Sequence, residues 1–267
     1  MPVIAEIYGK LSRTGSNMHD RLEDQLTGDV FGSLRYVRSQ LWFEKIFSKT
    51  KFLDADSPLQ KRALEIWQRA MQSPFSLDIR FWERLSDHGE IDLLIEGPNL
   101  TIGCEIKYIS GLSSDDSVDN HIPDEAAMER EKLESVNQLA RYGRYLGKDS
   151  NSVLILIAPA DLGTAIVFDA LQRGIMRAPL GLLTWQAVYK GIVEVQSNIS
   201  NPNEAVLFED LRLLLSHRGL STFEGWPMQH RVSLDYYQYP QNLCNTTVTF
   251  PWPEQTVWGS TQYEFKH

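Results

Sequence analysis

Apolar and polar residues alternate most regularly between Glu90 and Tyr108. Glu90, Asp92 and Leu94 fall on one side of an extended chain and Ile91, Leu93 and Ile95 on the other, because strand side chains alternate with period two. After Gly97, Pro98 and Asn99 the pattern resumes. Gly103, Glu105 and Lys107 share one face, and Ile102, Cys104 and Ile106 the opposite one. A tight turn with Pro98 and Asn99 at its centre predicts a hairpin in which Gly97 faces Leu100 and Glu96 faces Thr101. Counting outward, Asp92 stands opposite Glu105, and Glu90 opposite Lys107.

Other segments follow the helical period. Leu22, Leu26, Val30, Leu34 and Val37 predict a helix from Asp20 to Arg38, with Thr27 and Gly28 as an interruption. Asp54 to Pro58 is a helix start, with Pro58 suited to the first turn. That helix runs to about Met71 and is stopped by Ser73 and Pro74. Residues 79–85 read as a first strand, and Ser86 to Gly89 as the turn into the hairpin. A loop rich in Gly, Ser, Asp and Asn is expected over 110–124, then a long helix from about Asp124 to Leu146, stopped by Gly147. Ser152 to Ala158 is an all-apolar run that suits a buried central strand. A helix over 163–173, a strand over 181–185 and a helix from Glu204 to His217 complete the pattern. Residues 1–18 read as a loose arm, and the chain from Trp226 is dense in aromatics without a period. Hairpin and crossover connections together predict an α/β protein with a mixed central sheet flanked by helices.

Composition adds bounds. With 267 residues, 42% of them hydrophobic and 10% aromatic, the chain can build a substantial core. One α/β domain over 1–230 is expected, with its helical N-terminal part at about 19–72 and an aromatic-rich extension at 231–267. Cys104 and Cys244 offer no disulfide framework, and no Cys/His spacing points to zinc. The longest apolar stretch, Val153 to Leu171, is broken by Pro159, Asp161 and Asp169, so no membrane partner and a cytoplasmic location are expected. The net charge of −9 weighs against a nucleic-acid partner in bulk, because phosphate contacts supply most of such affinity. The charge is unevenly spread, however. Arg35, Arg38, Lys45, Lys49, Lys61 and Arg84 precede the hairpin, and Asp115, Asp116, Asp119, Asp124, Glu125 and Glu129 follow it.

The chemistry centres on the hairpin. Carboxylates directly opposed on paired strands stand roughly 5 Å apart at Cβ and repel. A divalent cation between Asp92 and Glu105 relieves that repulsion. Hard oxygen donors suit Mg²⁺, with Mn²⁺ as a substitute, and the backbone carbonyl of Ile106 adds a third donor. Lys107, two residues from Glu105 on the same face, is placed to orient a water or to offset charge on a phosphoryl group. The ordinary alternative is a solvated strand face on which Glu90 and Lys107 form an ion pair worth little. His88 and His121 lie in loops without an evident partner, and no phosphate-cradling glycine loop or nucleophile elbow occurs.

An acid on one strand followed by Glu105-Ile106-Lys107 on the next resembles the PD-(D/E)XK nuclease superfamily, the restriction-endonuclease-like fold. The signature proline is replaced by Ile91. The resemblance implies a restriction-endonuclease-like core over about residues 20–190 and a metal-dependent nuclease, DNA being the expected substrate and genome defence the suggested setting. It implies Asp92 and Glu105 as metal ligands, Lys107 as the aid to the attacking water, and a helix acid completing the site. Glu23 is the best match for that acid, with Asp24 and Asp29 as rivals. Gln138 and Tyr142 match the glutamine and aromatic of the following helix, at an i, i+4 spacing that puts them on one face. An RNA-directed nuclease and a non-catalytic interaction module on the same fold are the alternatives. The acidic loop, the aromatic tail and a homodimer contact are the candidate protein-binding surfaces.

Overall fold

The computed structural model describes residues 18–54, 56–71, 77–113 and 135–221. The expected N-terminal arm up to residue 17, the acidic segment from residue 114 to 134 and the aromatic extension lie outside the described residues, and Met18, expected in the arm, opens the first helix. The chain divides into two units, Met1–Phe223 and Glu224–His267, and every described residue belongs to the first.

The first unit begins with three helices: α1 (Met18–Leu34), α2 (Ser39–Phe47) and α3 (Pro58–Met71). Strands β1 (Asp78–Arg84), β2 (Glu90–Gly97) and β3 (Leu100–Ile106) follow, with a short 3₁₀ turn over Ser86–His88 between the first two. Then come α4 (Gln138–Leu146), β4 (Ser152–Ala158), α5 (Ala160–Gln172), β5 (Leu180–Thr184), α6 (Trp185–Gln196) and α7 (Pro202–His217). The sheet runs in sequence order, β1-β2-β3-β4-β5. The first two pairings are antiparallel and the last two parallel. This is the mixed sheet expected of the pattern.

Helices cover both faces. On one, Leu26, Val30, Phe31 and Leu34 of α1, Trp42, Phe43, Ile46 and Phe47 of α2, and Val188 and Ile192 of α6 pack on Leu93, Ile95, Ile102, Cys104 and Ile155. On the other, Leu139 and Leu146 of α4 and Val167 and Ala170 of α5 pack on Leu94, Leu154 and Leu156. Every residue of β4 is buried, as its unbroken apolar run requires. The outer edge of β5 is covered: the Lys51 amide donates to Leu182 O and the Leu182 amide to Lys51 O, each at 2.8 Å.

Several expected boundaries shift. The first helix stops at Leu34 instead of Arg38, and a separate α2 follows. Of the helix expected from about Asp124 to Leu146, residues up to 134 lie outside the described residues; 135–137 are not helical, and α4 begins at Gln138, where Asn137 Oδ1 accepts the Leu139 amide at 2.9 Å and the Ala140 amide at 3.3 Å and caps the first turn. Helix α5 begins at Ala160, directly after Pro159, rather than at 163. Helix α6, absent from the expected order, begins where β5 ends, with Thr184 Oγ1 accepting the Ala187 amide as its cap.

Candidate functional site

The hairpin register is the one the turn dictates: Gly97 pairs with Leu100, Glu96 with Thr101, Leu94 with Gly103 and Leu93 with Cys104. The ladder ends there, one step before Asp92 and Glu105. Past that point β3 stays with β4, where Glu105 pairs with Leu156, and the Lys107 amide donates to Ile157 O at 2.7 Å. Released from the ladder, the Ile106 amide donates instead to Asp92 Oδ2 at 2.7 Å. The Ile106 carbonyl points to the same edge, since N–H and C=O of one strand residue share a side.

The other strand neighbour is distorted at the same level. Pairing of β1 with β2 skips Trp82 opposite Asp92, and Trp82 has φ 48°, a left-handed conformation that costs a bulky residue about 1–3 kcal/mol. Alternation breaks here. Ile91 was expected on the face of Leu93 and Ile95 but packs with Leu94 on the opposite face, and a Cβ at Gly103 would lie 2.6 Å from its Cδ1. The space beside Gly103 is therefore filled by Ile91 and Leu146 rather than left open. The Trp82 indole donates to Asp24 Oδ1 at 3.1 Å and so ties α1 to the sheet beside the site.

Lys107 leaves the expected pairing with Glu90. Its ammonium stands 2.6 Å from Glu105 Oε1 and 3.0 Å from Glu23 Oε1. Its carbonyl accepts the Trp185 indole N–H at 2.8 Å, which fixes the backbone from below. Glu23 does more than meet the lysine. Its Oε2 accepts the Tyr108 amide at 3.0 Å and the Ser110 hydroxyl at 2.8 Å. Glu23 is thus a bracket between α1 and the segment that leaves β3. Of the candidate helix acids it is the one that reaches the site; Asp24 is engaged by Trp82, and Asp29 lies near Arg218.

On α4, Gln138 and Tyr142 share a face as their spacing requires. Gln138 Oε1 accepts the Ser113 amide at 3.1 Å, and its Nε2 donates to Tyr142 Oη at 3.0 Å. Tyr142 in turn donates to the Glu90 carbonyl. Both ends of the Gln138 amide are thereby engaged within the protein. The chain turns this pair to holding the post-strand loop and the start of β2.

Burial governs the electrostatics. Glu105 is 1% and Lys107 5% exposed. Burial pushes the Glu105 carboxyl up to about 7, against the pull of Lys107 and with a further push from Glu23. Asp92 is held well above the usual carboxylate range by burial and by the charge of Glu105, despite its bond from the Ile106 amide. Burial works against the Lys107 ammonium, yet Glu105, Glu23 and Asp92 together keep it charged beyond its ordinary range. Burial and the charge of Glu105 also raise the Tyr142 phenol, which stays neutral.

Among the described residues no three His, Cys, Asp or Glu side chains form a ready-made ion cage. The donors at the open end of the hairpin are Asp92 and Glu105, near enough for the charge of one to act on the other, with the Ile106 carbonyl on the same strand edge as its amide. Glu105 Oε2 is buried without a hydrogen-bond partner among the described residues, a costly state that a cation would relieve. Mg²⁺ takes one or two carboxylates and keeps several waters, so this donor set fits it. Glu23, with Oε1 on Lys107 and Oε2 on Tyr108 and Ser110, is committed elsewhere. Trp82, Trp185 and Ser110 were not legible as site residues; each acts across a long sequence separation that leaves no local pattern.

Fold and site together define a mixed α/β domain with a two-carboxylate, one-lysine centre, Glu105 and Lys107 buried and Asp92 half-buried, where a hairpin splays. Compared with known proteins, the chain matches no family model, no curated protein and no solved structure.

Proposed function

We infer that this protein is a Mg²⁺-dependent nuclease on a restriction-endonuclease-like core, hydrolysing phosphodiester bonds, with DNA as substrate. One observation carries the reading: two carboxylates that repel each other meet at the open end of the hairpin, Asp92 half-buried and Glu105 buried with an oxygen that no donor among the described residues satisfies, beside a lysine locked in the charged state. Asp92, Glu105 and the Ile106 carbonyl would hold the metal. A Mg²⁺ ion held there would supply polarisation of a phosphoryl oxygen and a more acidic water. Lys107 is held protonated and therefore donates, orienting water and offsetting charge on the phosphoryl oxygens. Glu23 and Trp185 fix where that ammonium stands, and Tyr142 and Gln138 steady the chain on either side. A role in genome defence is an analogy from the resembled family alone.

Incubation with supercoiled plasmid and Mg²⁺ tests this. Cleavage is expected, with Asp92→Asn and Lys107→Ala each lowering the rate by about 100-fold or more, the usual cost of losing one preorganised charge contact. Undiminished cleavage by both variants would overturn the assignment. Parallel digests of single-stranded DNA and structured RNA decide the substrate. The rival reading, a non-catalytic interaction module, is favoured by one feature: Lys107 already neutralises much of the carboxylate charge without a metal. Absence of Mg²⁺ or Mn²⁺ binding at millimolar concentration, together with inactivity on all three substrates, decides for it.

A further inference from the structure

Helix α4 presents a second feature that the chemistry above leaves unused. Its buried side carries Gln138, Leu139, Tyr142 and Leu146. The less buried side carries Arg141, Arg144 and Tyr145, continued by exposed Lys148 in the turn that follows. These positions fall at i, i+3 and i+7 for the three cations, so they form one stripe. Arg141 stands at the catalytic end: its charge acts on Glu105, and its guanidinium lies beside Gly89, 3.6 Å from where a Cβ would be. Arg144 donates to the Ser135 carbonyl at 2.9 Å. Lys148 lies over the Tyr145 ring at 5.7 Å from its centroid and has no carboxylate in ion-pair reach among the described residues. His88 packs against the same ring, edge to face at 5.9 Å.

We propose that Arg141, Arg144 and Lys148, with Tyr145 and His88 between them, form the track on which the backbone phosphates of a nucleic-acid strand lie as it enters the Asp92–Glu105 centre. The dimensions agree. The stripe runs about 10 Å along the helix at 1.5 Å per residue. One strand of a duplex advances about 3.4 Å per phosphate, so the stripe is as long as about three phosphate steps, enough for each cation to meet a phosphate. The local field agrees as well. His88 is held below its usual range by burial and then by Lys148, Arg144 and Arg141, with Asp87 opposing them. A surface that repels an added proton attracts an anion. The chain's net charge of −9 requires such a local reversal if it is to hold nucleic acid. Tyr145 offers a flat apolar face to sugar or base between the charges.

This inference rests on the nuclease reading, but its test is one of binding. A labelled 20-base-pair duplex is titrated, without metal, onto Asp92→Asn protein by fluorescence anisotropy over a range of salt. Arg144→Gln and Lys148→Gln are each expected to weaken binding several-fold at low salt. Each should flatten the slope of log affinity against log salt by about 0.9, the contribution of one phosphate contact. Lys190→Gln makes the same charge change on α6, across the sheet, and is expected to leave the slope unchanged. Equal effects at all three positions would mean bulk charge alone and would overturn the track, as would no effect at 144 and 148. Circular dichroism checks that each variant is folded. Cleavage is scored separately: a stripe that binds in a protein that never cuts sinks the nuclease reading and leaves the track standing. Cleavage dependent on Asp92, with affinity indifferent to the stripe, does the reverse.

Discussion

A lysine is almost never fully buried unless it is paired. Lys107 is paired twice, with Glu105 and Glu23, and the three side chains form one balance in which Glu105 carries the strain. Its carboxyl titrates at about 7 in the fold against 4.5 as the ordinary value. A raised acid binds more protons folded than unfolded, so metal-free protein loses stability as pH rises from about 4.5 to about 7, then levels off. Lys107→Met removes the cation that lowers Glu105. Breaking a buried pair from one side costs about 3–5 kcal/mol. That cost should be largest at pH 8, where Glu105 is charged in the intact protein, and should shrink towards pH 5, where Glu105 takes up its proton. Urea denaturation at the two pH values measures it, and a cost independent of pH would contradict this account of Glu105. Alternation brought Asp92, Glu105 and Lys107 to notice in the sequence, and helical spacing did so for Gln138 and Tyr142, because both are local periodicities. The clamp formed by Trp185, Trp82 and the Tyr108 amide was not legible. An indole that donates to a carbonyl 78 residues away leaves no mark on its own neighbourhood.

Elements with clear stops were legible, such as β4 after Asn151 and before Pro159, and α3 behind Pro58. Two helices were not. Trp42, Phe43, Ile46 and Phe47 have helical spacing, but Arg38 at the N-cap makes no side-chain bond, so α2 carries no start signal. Helix α6 is hidden for a different reason: Thr184 ends a strand and caps a helix at once, with no turn residue between. These two helices pack directly on each other. A Cβ on Gly191 would stand 2.8 Å from both Ile46 Cα and Lys45 O. Those are backbone atoms of α2, which cannot swing aside as a side chain would. Gly191→Ala should therefore destabilise the protein by about 1–3 kcal/mol despite alanine's better helix propensity. A thermal melt reads this, as a fall of about 2–4 °C per kcal/mol for a domain of this size. An unchanged or raised Tm would show that the helices can part at no cost.

Across the whole molecule, the centre draws on α1, both strands of the hairpin, the segment after β3, and α6 behind it. Leu26, Val30, Phe31 and Leu34 of α1 are fully buried in the same core as Leu93 and Ile102. Undocking α1 would expose that core, so Glu23 leaves the site only when the sheet itself opens. Loss of plasmid cleavage and loss of helical ellipticity in urea should therefore share one midpoint; an earlier loss of cleavage would mean that α1 opens independently.

The bracket from Glu23 to Tyr108 joins positions 85 residues apart. Among the described residues, the rest of α1, all of α2 and α3 and three strands lie inside that loop of chain. A backbone cut between α3 and β1 would leave Glu23 on one fragment and Asp92, Glu105 and Lys107 on the other. Neither fragment would hold a complete centre, and whatever the protein does there would return only when the two pieces found each other again.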